Sequence, residues 1–309
     1  MQDNHAKAGV LLAIAAYTLW GFAPMYFKLL QGVPATEILM HRILWSSLIL
    51  GALVLALGQW HKVMHALRNP KVLKILLITG VLLGGNWLLF IWAINSNQML
   101  EASLGYYINP LLNVFLGRVF LAEKLRRLQQ LAVGLALVGV GIVVISYGEV
   151  PWVALGLAGS FGVYGLMRKQ VAVDSFPGLL LETLLMLPFA IGYWVWLAGP
   201  DSNMLANDTA LNVTLICAGI VTTAPLLCFT AAAKRIMYST LGFFQYIGPS
   251  IMFVLAVFLY DEPLQSDRLV TFLFVWTALA LFSFDSYRFY RKTKKQQREI
   301  LSRQPNEGV

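Results

Sequence analysis

From the N-terminus onward the chain alternates long apolar runs with short polar segments, and the runs are continuous rather than alternating apolar with polar. That excludes barrel strands and leaves helices. A helix needs about 20 apolar residues to cross a bilayer. Ten candidate runs are present, at residues 9–30, 35–57, 72–94, 102–121, 128–147, 152–167, 177–197, 211–233, 240–260 and 269–289. The pattern predicts an all-α polytopic membrane protein with ten transmembrane helices.

Part of the pattern occurs twice. Residues 107–123 and 246–262 align without a gap: both open Tyr-Ile-x-Pro (Tyr107 to Pro110, Tyr246 to Pro249), share Leu116 and Leu255, and close on Glu123 and Glu262. Similar runs precede them, from Glu101 and from Tyr238, once a two-residue difference is allowed. The repeat unit is about half the chain, giving units at 8–147 and 150–289 and a basic tail at 290–309. Five helices per unit is an odd number, so the second unit enters the membrane upside down: two inverted five-helix repeats.

Charge then sets orientation. The 309 residues are 58% hydrophobic and 12% charged, about half the charged fraction of a soluble protein. With ten spans, every lysine and arginine except Lys28, Arg42 and Arg268 falls on the side of the two termini. The positive-inside rule makes that side the cytoplasm. The net charge of +8 therefore reads as topology and not as nucleic-acid binding, and the tail from Arg288 is solvated or touches anionic lipid. Cys217 and Cys228 lie eleven residues apart in one span, ~16 Å along a helix and beyond disulfide reach.

Candidate chemistry is concentrated in a few places. Pro24, with Gly21 before it, marks either a packing kink or a gate hinge in the first span, and Trp20 lies beside them. Glu37, His41 and Arg42 put three ionisable groups at one membrane entrance. Either Glu37 bonds to His41 as an i, i+4 pair anchoring the interface, or His41 and Arg42 face a central cavity where Arg42 holds an anionic group and His41 titrates. Asn86, sharing a face with Phe90, needs a helix partner or a ligand. Tyr106, Tyr107, Asn109, Pro110 and Asn113 cluster in the fourth span, and helix–helix bonding accounts for Asn113 more readily than for the whole cluster. Glu123 and Glu262 read as structural latches. Glu182 is either functional or paired with Arg168 or Lys169. Gln245, Tyr246 and Pro249 are the second-half counterparts of the fourth-span cluster.

At this point the residues resemble a family. The two Pro-x12-Glu helices, ten spans and inverted duplication look like the EamA branch of the drug/metabolite transporter superfamily over nearly the whole chain. The strings from Trp20 to Lys28, Glu37 to Arg42, Gly84 to Trp92, Leu100 to Tyr106 and Ser239 to Pro249 resemble one bacterial subfamily of it. The resemblance implies a permease of the bacterial inner membrane. A secondary transporter of small metabolites or drug-like compounds, working by alternating access, is the expected function. Its cavity would be lined by Trp20, Asn86, Phe90, Tyr106, Tyr107, Asn109, Gln245 and Tyr246, with His41, Arg42 and Glu182 supplying charge recognition or a proton site. Gly21, Pro24, Pro110 and Pro249 would be hinges. Its partners would be a small-molecule substrate, the lipid bilayer and protons. No cofactor or metal is expected: there is no P-loop, and the four histidines show neither metal-ligand spacing nor a Ser-His-Asp set. The alternatives are a structural or signalling membrane component and an integral-membrane enzyme.

Overall fold

The computed structural model describes residues 2–30, 32–96, 99–197, 199, 202–259 and 266–303, without the side chains of 2–4, 91, 94, 95, 99–101, 256, 266–268, 290 and 292–303. Glu262 and the end of the tail, 304–309, lie outside the described residues, as do the side chains of Glu101 and Arg268. The helices are α1 (Gln2–Lys28), α2 (Ala35–Ala56), α3 (Trp60–Arg68), α4 (Pro70–Asn95), α5 (Met99–Phe120), α6 (Arg127–Tyr147), α7 (Trp152–Gln170), α8 (Ser175–Trp196), α9 (Thr209–Ala233), α10 (Tyr238–Gln245), α11 (Ile247–Leu259) and α12 (Ser266–Arg303).

Among the described residues, eight stretches are long and apolar enough to cross a membrane, with α10 and α11 together supplying one of them. The other two candidate spans are α5 and α7, of 22 and 19 residues, which pack against each other. Their length suffices, at ~1.5 Å per residue. Their mean hydropathy is lowered by Asn109, Asn113 and Arg118 in α5 and by Arg168 and Lys169 in α7.

Two elements differ from the pattern. The positively charged stretch between the second and third runs is a helix, α3, at nine residues only ~13 Å long. Val63 and Ala66 are buried against the bundle while Trp60, Met64 and Leu67 are exposed. The ninth run is two helices rather than one. Pro249 has no N–H to return to the carbonyl of Gln245, and the chain tightens there, with Tyr246 N donating to Phe243 O at 3.3 Å. Pro110, its counterpart, leaves α5 continuous, as Pro24 does α1.

The packing has a regular plan. Helix α1 lies on α9 as α7 lies on α4; α2 lies on α9 as α8 lies on α4; and α5 lies on α7 as α10 and α11 lie on α1. Helices α2 with α8, α5 with α10, and α6 with α12 form the junctions. Arg126 bonds to Asp285 across the last of these at 2.5 Å.

The end of the bundle that carries α3 is closely tied. Glu123 follows α5, turned back by Ala122 at φ 52°. Its carboxylate accepts from Tyr238 N at 2.5 Å, Ser239 N at 2.8 Å and Ser239 Oγ at 2.7 Å. A glutamate that would oppose the dipole of its own helix instead caps the positive N-terminus of α10. Glu123→Ala strips a charged acceptor from those backbone donors and is expected to cost about 2 kcal/mol, read as a lowered unfolding midpoint in detergent, with Glu123→Gln costing less.

Lys169 donates to the carbonyls of Ala233 and Ile236 at 2.7 and 2.5 Å. Lys234 returns the arrangement by donating to Val171 O at 3.1 Å and to Val173 O. Burial, helped by the nearby Arg168 charge and opposed by Asp174, lowers the Lys234 pKa to about 8. The folded state therefore sheds this proton before the unfolded chain, whose lysine titrates near 10.4. Between those values the unfolded state binds more protons, so stability rises with pH across that window. Thermal unfolding in detergent is expected to show this rise from pH 8 to 10, and Lys234→Met to flatten it.

Candidate functional site

Arg42 is an interior arginine that, among the described residues, has no carboxylate partner. It projects from α2 toward α9, where its Nε donates to Thr222 Oγ1 at 2.8 Å. Its guanidinium carbon lies 4.6 Å from the Trp87 ring centroid on α4 and 5.6 Å from that of Phe27 on α1, within cation–π range. Tyr26 of α1 and Tyr106 of α5 lie within electrostatic reach, and Phe90 meets Tyr106 edge-on at 6.2 Å. Phe27, Arg42, Phe90 and Tyr106 are half-buried. Arg42 is thus met from α1, α4 and α9.

The neighbouring ionisable groups are spent on each other. His41 Nε2 is 3.2 Å from Glu37 Oε1, and Glu37 Oε1 also accepts from Trp194 Nε1 at 2.8 Å. Trp45 Nε1 donates to His41 Nδ1 at 3.2 Å, which leaves the ring proton on Nε2, toward Glu37. Both residues are almost fully buried. Glu37 is thus unavailable to neutralise Arg42, and among the described residues no acidic group lies within ion-pair distance of that guanidinium.

Toward the α3 end the interior is filled with rings. Trp20 packs on Tyr17, Phe161 and Phe229 at 5.7, 5.7 and 5.9 Å, and Tyr164 stacks on Phe229. Tyr17, Tyr164 and Phe229 are fully buried. Trp20 precedes Phe27 by seven residues, and Phe229 follows Thr222 by seven, so this plug lies ~10 Å below the Arg42 cluster. A separate cavity of about 620 Å³ beside α3, lined in part by His61, Lys62, His65, Arg68 and Asp174, shares no residue with it.

The amides singled out in the sequence join helices. Asn86 donates to Leu157 O at 2.9 Å and Ser160 Oγ at 2.8 Å on α7. Asn109 donates to Ala158 O at 2.9 Å and accepts from Asn113, which also donates to Gln245 Oε1 at 3.0 Å. Asn109 as well as Asn113 is spent on helix–helix bonding, while Tyr106 of the same stretch faces the Arg42 cluster. Tyr246 is buried with its hydroxyl on Tyr107 O at 3.2 Å, and Tyr107 packs on Phe272. Glu182 is sealed at 0% exposure, its Oε1 3.5 Å from Arg168 Nε, and takes the pairing alternative. Gly21 is a contact point, where a Cβ would fall 2.8 Å from Ile251 Cβ.

Of the residues expected at a site, Arg42, Phe90 and Tyr106 come together, with Trp20 in the plug. Phe27, Trp87 and Thr222 were not anticipated. Trp87 adjoins Asn86 and Thr222 opens the Thr-Thr-Ala-Pro stretch of its span, the counterpart of Gly85-Asn86-Trp87, but only the helix contacts bring them to Arg42.

These features define an all-α, multi-pass membrane protein with a charged aromatic cluster in its interior. A model of the EamA-like transporter family matches residues 7–145. An uncharacterised transporter of Vibrio cholerae is 57% identical over 93% of this chain and 95% of its own length, and protein RarD of Salmonella typhimurium is 53% identical over 94% of this chain and all of its own. The chain belongs to the EamA-like transporter family, among its RarD-like permeases. A protein crystal structure with 18% identity shares the fold at a TM-score of 0.71, covering 92% of this chain and 99% of the other.

Proposed function

We propose that the protein is an inner-membrane secondary transporter of small metabolites or drug-like compounds, working by alternating access between inverted halves at 8–147 and 150–289, with both termini and α3 in the cytoplasm. It acts as a carrier and not as an enzyme. The observation that carries this reading is a half-buried cluster at Arg42, contributed by five helices, with the Trp20–Phe229 plug packed on its α3 side. A charged interior site blocked toward one end is what one state of a rocking carrier requires. The helix contacts support the halves, since the main packing pairs of the bundle, those of α1, α2 and α5 with α7, α8 and α9, have counterparts when the halves are exchanged.

Reconstitution in liposomes tests it. Solute uptake above protein-free vesicles is expected, and its absence across anionic, neutral and cationic solutes removes the reading. An imposed pH gradient reads the coupling: stimulation that His41→Gln abolishes assigns the proton to the His41–Glu37 pair, and indifference assigns facilitated diffusion.

A further inference from the structure

We propose that Arg42 is the substrate-recognition residue and that the substrates are small organic monoanions: carboxylates attached to an apolar or aromatic body. The inference rests on the transport reading above and names its substrate class.

A cation inside a membrane bundle is costly unless it is balanced. Arg168, the other interior arginine, has Glu182; Arg42 has a hydroxyl and aromatic faces. Thr222 occupies only the Nε of Arg42, and among the described residues its two Nη atoms make no hydrogen bond. Unlike Nη1 of Arg168, they are not sealed from solvent. The guanidinium therefore leaves its Nη edge without a protein acceptor, in the fork geometry that binds a carboxylate bidentately. Trp87 and Phe27 hold the plane in place. A single positive charge balances a single negative one, which favours a monoanion over phosphate. The remaining walls, Phe90 and Tyr106, offer ring surface to an apolar body and no second cation.

The full chain in nanodiscs is titrated with benzoate, its neutral isostere benzamide, and inorganic phosphate. Benzoate is expected to bind at least about tenfold more tightly than benzamide, and more tightly than phosphate. Arg42→Gln removes the benzoate preference. Arg42→Lys, which keeps the charge and loses the fork, reduces it to an intermediate value and serves if the glutamine variant does not fold. Equal binding of benzoate and benzamide, an unchanged preference in Arg42→Gln, or tighter binding of phosphate overturns the inference. Liposome flux of p-aminohippurate and its carboxamide separates the two claims. If the neutral amide crosses as fast as the anion and Arg42→Gln carries both, the anion assignment falls and transport stands. If neither these nor any other solute crosses above protein-free vesicles, the transport reading falls and takes the substrate assignment with it.

Discussion

Arg168→Met is expected to destabilise the folded protein by about 3–5 kcal/mol, because it leaves Glu182 charged and alone in a site without water. The pair is shut in: both side chains are 0% exposed. Glu182 accepts from Thr79 Oγ1 at 2.5 Å and Tyr164 OH at 3.4 Å, and Arg168 Nη2 reaches Ser175 O at 3.4 Å. The cluster thereby fastens α4, α7 and α8 together. Room for the guanidinium comes from Gly178, where a Cβ would overlap it. The double variant Arg168→Met with Glu182→Gln removes both charges and is expected to recover most of the loss, since the cost lies in the orphaned carboxylate and not in the missing attraction. Unfolding midpoints of the two single variants and the double give the comparison. A double variant no more stable than Arg168→Met removes the ion pair as the cause.

Gly219→Leu is expected to abolish transport and cost about 3 kcal/mol of stability. Helices α2 and α9 cross there with almost no gap: a Cβ on Gly219 would fall 2.6 Å from Trp45 Cβ and 2.7 Å from the Trp45 carbonyl carbon. Backbone cannot step aside as a flexible side chain would, so a leucine wedges the helices apart. Trp45 and Gly219 lie one turn from Arg42 and Thr222 on their respective helices, so the wedge acts where the Arg42–Thr222 bond is made. Gly219→Ala is expected to show the same effects more weakly. Liposome uptake together with the unfolding midpoint separates lost positioning from lost folding. Uptake that survives Gly219→Leu contradicts the claim that this crossing positions Arg42.

Hydropathy located the helices well because a bilayer demands length and apolarity from each span on its own. The runs at 35–57 and 211–233 differ from α2 and α9 by one and two residues at an end. The stretch 60–68 did not register as a span: its apolar residues, Trp60, Val63, Met64, Ala66 and Leu67, are interleaved with His61, Lys62, His65 and Arg68 and form too short a run to cross a membrane, and α3 packs beside α4 and α8. Pro249 flagged a weak point, but Pro110 has the same sequence setting and leaves its helix whole, so the break at Tyr246 depends on context.

At the site, the spacing of Glu37 and His41 indicated their contact, and Arg42 stood out as a charge at a membrane entrance. Which of the three faces the interior depends on helix rotation, which nothing in those six residues specifies. The amides were ambiguous for a different reason. Asn86 and Asn109 are satisfied by Leu157, Ser160 and Ala158, residues 49 to 74 positions away, and a polar side chain awaiting a helix looks in sequence like one awaiting a ligand.

The most direct test of alternating access is thiol labelling of Thr222→Cys, in a chain whose Cys217 and Cys228 are serine, with a membrane-impermeant maleimide applied to one face at a time. Oriented vesicles of both senses supply the two faces. Labelling from either face is predicted, because a carrier that works by alternating access must expose its interior site to each face in turn. Labelling from one face alone, under every substrate condition, contradicts the account.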